Sequence, residues 1–238
     1  TIAASTTAQT KALTTASINA LTSAQVTAIE TADLAAMSTA QLSKLGTAQV
    51  AQLTSVQVAA LTSGQVKSLN SDQVAALTSA QLNALTSSQL PSLSTAQVRA
   101  LTTDQLSKLT TTQIVGLSTA QVAALSTGQV AALTSVQINA LASDDLKALT
   151  TTQVRALTSD QLSKLSSDQI ALMATDDIAA LGTGQISHLS TAAIDQAELV
   201  GGGVGEVDDA VRMERATVGD ADDDRFAALQ AGNPHIGG

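Results

Sequence analysis

The side chains best suited to move a proton near neutral pH are two histidines, His188 and His235. Neither has a nearby carboxylate or hydroxyl arranged as a base with its orienting partner, so neither marks a catalytic pair. His188 stands where lysine recurs in the pattern described below, and it reads as a cation at a helix end. Serines and threonines are abundant, but no G-x-S-x-G sequence singles one out as an activated nucleophile. The run Asp220-Ala-Asp-Asp-Asp224 suggests calcium, yet an EF-hand loop needs Gly sixth and Glu twelfth, where Arg225 and Ala231 stand. Gly202-Gly-Val-Gly205 opens like a calcium-binding nonapeptide, but Val207 occupies the aspartate place and the unit occurs once. This stretch reads as a solvated acidic loop. With no Cys there is neither a disulfide framework nor a thiolate metal site. We therefore expect no enzyme, and no catalytic, cofactor-binding or metal-binding residues.

The remaining polar side chains are regular. From Leu13 to Gln196 the chain reads L-[ST]-[ST]-x-Q-[VIL]-x-x, 23 octads in unbroken phase, with a degenerate copy at Ser5–Ala12. Leu77-Thr-Ser-Ala-Gln-Leu-Asn-Ala84 is one example. Position 1 is Leu except at Ile29, Met37 and Met173, and position 6 is always Val, Leu or Ile. Position 5 is Gln except at Ser17, Asp33, Asp145, Asp177 and Ala193.

The spacing selects the element. Positions 1 and 6 alternate by five and three residues, both odd, so a regular strand would send them to opposite faces. On a helix, position 6 and the next position 1 are an i,i+3 pair on one face. One continuous helix fails, because its apolar stripe would rotate by about 80° per octad. The helix must break once per repeat, and [ST]-[ST]-x-Q is a capping box with position 2 as N-cap and Gln at N3. Charge agrees. Asp33, Asp72, Asp104, Asp144, Asp145, Asp160, Asp168, Asp176 and Asp177 fall at positions 4 or 5. Lys44, Lys67, Arg99, Lys108, Lys147, Arg155 and Lys164 fall at positions 7 or 8. Acids at the start and bases at the end suit a helix dipole; Glu30 and Asp195 depart from the sorting.

The expected fold is all-α, a solenoid of very short helices, one per octad, with positions 1 and 6 stacked into an inner seam. The alternative is a β-solenoid with one corner per octad. The seam must be thin, since there is no Trp or Tyr and only one Phe, and a stack in which each unit packs on its neighbours tolerates that. Pro91 at position 7 removes a helical hydrogen bond, so its helix either stops early or tightens to 3₁₀. Gly64, Gly128 and Gly184 at position 4 are also poor helix formers.

The expected organisation is a degenerate repeat at 1–12, the octad array at 13–196, and an acidic, glycine-containing tail at 197–238 that caps the seam or links onward. Residues 1–196 carry 8 Lys/Arg against 11 Asp/Glu, a net of −3, and the short tail carries 3 against 9, a net of −6. That balance disfavours nucleic acid and anionic membranes. No stretch is apolar enough to insert in a membrane, and no basic and apolar leader is present. A start at Thr1 within a repeat suggests a processed form or a fragment.

Octads such as Leu93-Ser-Thr-Ala-Gln-Val-Arg-Ala100 resemble the arrays of very large proteobacterial surface and secreted proteins, adhesin-like, hemagglutinin-like or RTX-associated, over residues 5–196. The resemblance implies an extracellular spacer, stalk or filament component of a bacterial cell surface. Ser5 and Thr10 replace the Leu and the aliphatic of the degenerate octad, so that end of the seam is barely capped and self-association is expected, with neighbouring surface proteins as the other partners. The alternative function is a repetitive binding surface for a ligand, a partner protein or ice. Its hydroxyl ladder would order water unless those hydroxyls are spent on helix caps.

Overall fold

The computed structural model describes residues 6–189, and these form a succession of α-helices of four to six residues, one per octad except at 85–92, with no strand among them. The all-α expectation holds and the β-solenoid does not. Each α-helix begins at position 3 and ends at position 6, 7 or 8, as in Thr39–Leu42, Thr119–Ala123 and Ser55–Ala60. Position 2 is the N-cap of the α-helices from Thr7–Ala12 to Thr175–Ala179, in extended backbone such as φ −73°, ψ 157° at Thr54. The side-chain oxygen of Thr54 accepts from the Gln57 N–H at 3.1 Å, while the Thr54 N–H donates to Gln57 Oε1 at 2.8 Å. Two of the orphan amides that open a helix are thereby satisfied reciprocally. The degenerate copy follows the same scheme, with Thr6 capping Thr7–Ala12 through Gln9.

The break between helices is also regular. Position 1 is extended or nearly so where it caps the preceding helix, as at Leu61 (φ −61°, ψ 143°). Two extended residues per octad make a corner, so consecutive helices diverge and the chain winds back over itself. Hydrogen bonds between side chains and distant segments span 25 to 31 residues, so a turn closes after three to four octads. The helix that packs on Thr7–Ala12 is Thr31–Ala36, and the one on Ser135–Asn139 is Ser159–Lys164. Each octad thus rests mainly on the third one along. The sequence suggested nearest-neighbour stacking, which the corner geometry replaces.

Winding at this pitch turns position 6 fully inward. Val50, Val66, Val98 and Leu162 have no exposure at all, and the position 1 leucines close the core beside them. Only Leu13 and Leu21, in the first turn, are partly buried. Each buried aliphatic contributes about 2 kcal/mol gross, so the core's strength lies in repetition. At a helix spacing of 8–10 Å, the described turns form a rod roughly 60 Å long. Pro91 bears out the second of its two expected outcomes: Leu90–Ser92 is a 3₁₀ turn. No helix among the described residues is long and apolar enough to cross a membrane.

Candidate functional site: glutamine rungs between the turns

Position 5 carries the one polar side chain that is buried octad after octad, and it does more than cap. Gln129 is typical. Its Oε1 accepts from the Ser126 N–H at 2.8 Å and its own N–H donates to Ser126 Oγ at 3.2 Å. Its Nε2 is directed at the turn below, donating to the main-chain oxygens of Val98 at 3.0 Å, Arg99 at 3.2 Å and Leu101 at 2.8 Å. The acceptors are the last carbonyls of one helix and the position 1 carbonyl at the following corner. These oxygens have few partners inside their own helix. Gln57, Gln65 and Gln137 repeat the pattern with the same sequence offsets. One amide therefore starts its own helix, ends another and joins two turns. Buried in a low-dielectric core, a rung left unmade would cost more than its net worth when made.

Three described octads place Asp there instead, and each also lacks a capping hydroxyl, with Glu30, Ala142 and Ala174 at position 2. Asp33, Asp145 and Asp177 are buried. Each accepts from a threonine on the turn below: Thr7 Oγ1 at 2.6 Å, Thr119 Oγ1 at 2.9 Å and Thr151 Oγ1 at 2.7 Å. A carboxylate has no hydrogen to give the carbonyls, so a hydroxyl–carboxylate bond stands in for the amide–carbonyl one. The expected charge sorting holds along the array. One such pair, Asp104 and Lys108, meets at 2.8 Å on an exposed surface, where it adds little.

The rungs are weakest beside the proline. Gln113 is half-buried; it holds the Leu82 oxygen at 2.9 Å but lies 3.5 Å from that of Leu85. A shallow cavity of about 130 Å³ opens there, lined by Leu85, Leu90, Pro91, Gln113 and Gly116 among others. It holds no acid–base pair.

His188 is exposed just beyond the short helix Thr183–Ile186, its N–H donating to the Gln185 oxygen at 3.2 Å, the helix-end place expected of it. His235, the Asp220–Asp224 run, Gly202–Gly205 and the tail as cap or linker all lie outside the described residues. Among the described residues no three His, Cys, Asp or Glu side chains converge as a metal site. The sequence reading gave position 5 its capping half and missed the inter-turn half. The available signal was the choice of Gln: a capping box accepts Glu equally, and a helix start favours Glu electrostatically, yet Glu never occurs at position 5.

Comparison with known proteins agrees with the repeat. The ALTTAQ repeat family matches residues 26–63, 58–87, 79–111, 106–135 and 138–175. Its name frames the same unit from position 8 to position 5, as in Ala148-Leu149-Thr150-Thr151-Thr152-Gln153. No curated protein matches the chain.

Proposed function

The chain belongs to the ALTTAQ repeat family, and on that premise we propose that this structural repeat protein serves as an extracellular spacer, a stalk or filament segment of a bacterial cell surface, with no catalytic role. The observation carrying this reading is the uniform rung. Apart from Asp145 and the half-buried Gln113, octads from Gln41 to Gln161 use the same buried amide to join turns, so added octads lengthen the rod without altering its section. Such a design sets distance. The capping role of position 2 supports the spacer over a hydroxyl surface for ice, because Thr54, Thr102 and Ser126 spend their oxygens on helix amides. The resemblance to large surface proteins supports the location. An antibody against the array should label intact cells that make the protein, and the purified chain should image as short rods. Labelling that appears only after the cells are permeabilised would overturn the extracellular assignment; compact round particles would overturn the spacer.

A further inference from the structure

The outside of the rod is uneven. On each helix, positions 4 and 7 are an i,i+3 pair on the face turned away from the core. Three large aliphatics are exposed there among the described residues: Val56 at 70%, Val115 at 49% and Val136 at 64%. Val115 and Val136 lie in stacked octads, since Thr111–Val115 packs on Ser135–Asn139. The octad at 85–92 flanks 109–116 on the other side: the shallow cavity between them is lined by Leu90 and Pro91 from one and by Gln113 and Gly116 from the other. Ser63–Ser68 packs on Leu90–Ser92 in turn, and Ser159–Lys164 packs on Ser135–Asn139. Five octads therefore follow one another up one side of the rod. The middle three, 85–92, 109–116 and 133–140, contain no Asp, Glu, Lys, Arg or His, and no other three stacked octads among those described share this. The outer two present Lys67 at position 7 and Asp160 at position 4, both exposed. The one ion pair among the described residues is Asp104 with Lys108, so neither of these charges is paired within the chain, even though Lys164 is four residues from Asp160.

We propose that this side binds a second copy of the chain, the two rods antiparallel about a two-fold axis along Thr111–Val115. Such an axis sets 85–92 opposite 133–140 of the other copy, and 61–68 opposite 157–164. Val115 then meets its own counterpart. Val136 falls opposite the octad of Pro91, where the cavity gives a side chain room. Each copy's Lys67 comes within reach of the other's Asp160, so two ion pairs close the ends of an uncharged strip. A chain of net charge −9 repels its own copies over most of its surface, and this side is where that repulsion is least. Parallel pairing would set Lys67 against Lys67 and Asp160 against Asp160, so charge selects the antiparallel arrangement. Five turns roughly 9 Å apart and about 11 Å wide bury about 1,000 Å² over both copies, which suits a weak, reversible dimer.

Sedimentation of the full chain between about 1 μM and 1 mM should show a reversible rise from the monomer mass to twice that mass. Position 4 carries Asp elsewhere, as at Asp72, and position 7 carries Lys, as at Lys67, so Val136→Asp and Val115→Lys use residues the fold already accepts at those places. Both should keep the parent's helical circular dichroism and weaken pairing by about tenfold or more, because symmetry makes every change twice. Val56→Asp, in an octad outside the five, should leave pairing unchanged. Lys67→Asp and Asp160→Lys should each weaken it by about tenfold, and the two together in one chain should restore it. A chain that stays monomeric throughout this range overturns the proposal, as does a Val56→Asp effect equal to that of Val136→Asp. Undiminished pairing in Lys67→Asp overturns the antiparallel register.

Discussion

Glutamine at position 5 is held by both ends of its amide, and the two halves can be separated by substitution. Gln129→Glu keeps the oxygen that caps Ser126 but turns the inter-turn donor into a carboxylate facing three carbonyls. A loss of about 3 kcal/mol is expected, from unmade bonds and a buried uncompensated charge. Gln113→Glu should cost about 1 kcal/mol, since that side chain is half-buried and makes one good bond. Hydrogen exchange at the turns below each site compares the two, and equal costs would refute the rung as a joint. Thr10 gives a complementary case. It occupies the aliphatic position, 1% exposed, and its hydroxyl has no partner. Thr10→Val should stabilise the first turn by about 1 kcal/mol by removing a buried unpaired hydroxyl, read as slower exchange around Gln41, whose amide holds the Thr10 oxygen. The capping role of these residues was legible because it is local. The amide's second role was not, because its partners lie 28 to 31 residues away and no pattern within one octad shows them.

At the scale of one helix, legibility was nearly complete. The N-cap at position 2, the Gln at N3 and the ending near the next Leu are local physics repeated, and even Pro91 declared the 3₁₀ turn as one of two outcomes. Pro91→Ala returns a main-chain N–H to position 7, able to donate four residues back as the Ser43 N–H does to the Thr39 oxygen at 2.9 Å. It should gain about 1 kcal/mol and tighten the neighbouring Gln113 rung; unchanged exchange over 85–92 and 109–116 would show that the turn is set by its surroundings. Which helices pack together was not legible, because octads are interchangeable in sequence and the corner angle decides the partner. That angle moves a prediction. Val122→Asp buries a charge in the core at a position with no exposure and should open the octads packed on it, 93–100 and 141–148, more than 109–116 and 125–132, which are only its sequence neighbours. Equal opening on both sets would return the stacking to nearest neighbours.

For the molecule as a whole, the constraint is phase. A complete glutamine rung ties position 5 to oxygens 28, 30 and 31 residues earlier. Other glutamines use one or two of these, and the Asp rungs use a hydroxyl 26 residues earlier. These spacings survive any change of chain length by whole octads. Removing residues 125–132 brings each later glutamine over carbonyls of the same positions in an earlier octad. Asp145 then meets Thr111, another position 3 threonine, in place of Thr119. The core loses one Val and one Leu, Val130 and Leu125, and the rod shortens by roughly 3 Å at helix-packing spacing. Helix content per residue should be unchanged, and exchange should remain slow on both sides of the join. Removing only residues 125–128 leaves the local capping boxes on either side intact but shifts every rung that crosses the join by half an octad. Its amides then face side chains and helix starts instead of carbonyl ends, across a window of some 31 residues to each side. That variant should lose protection throughout the window while turns beyond it stay closed, since coupling fades along a solenoid. A four-residue deletion as benign as the eight-residue one would mean that the turns are held by apolar contact alone, with the rungs as passengers.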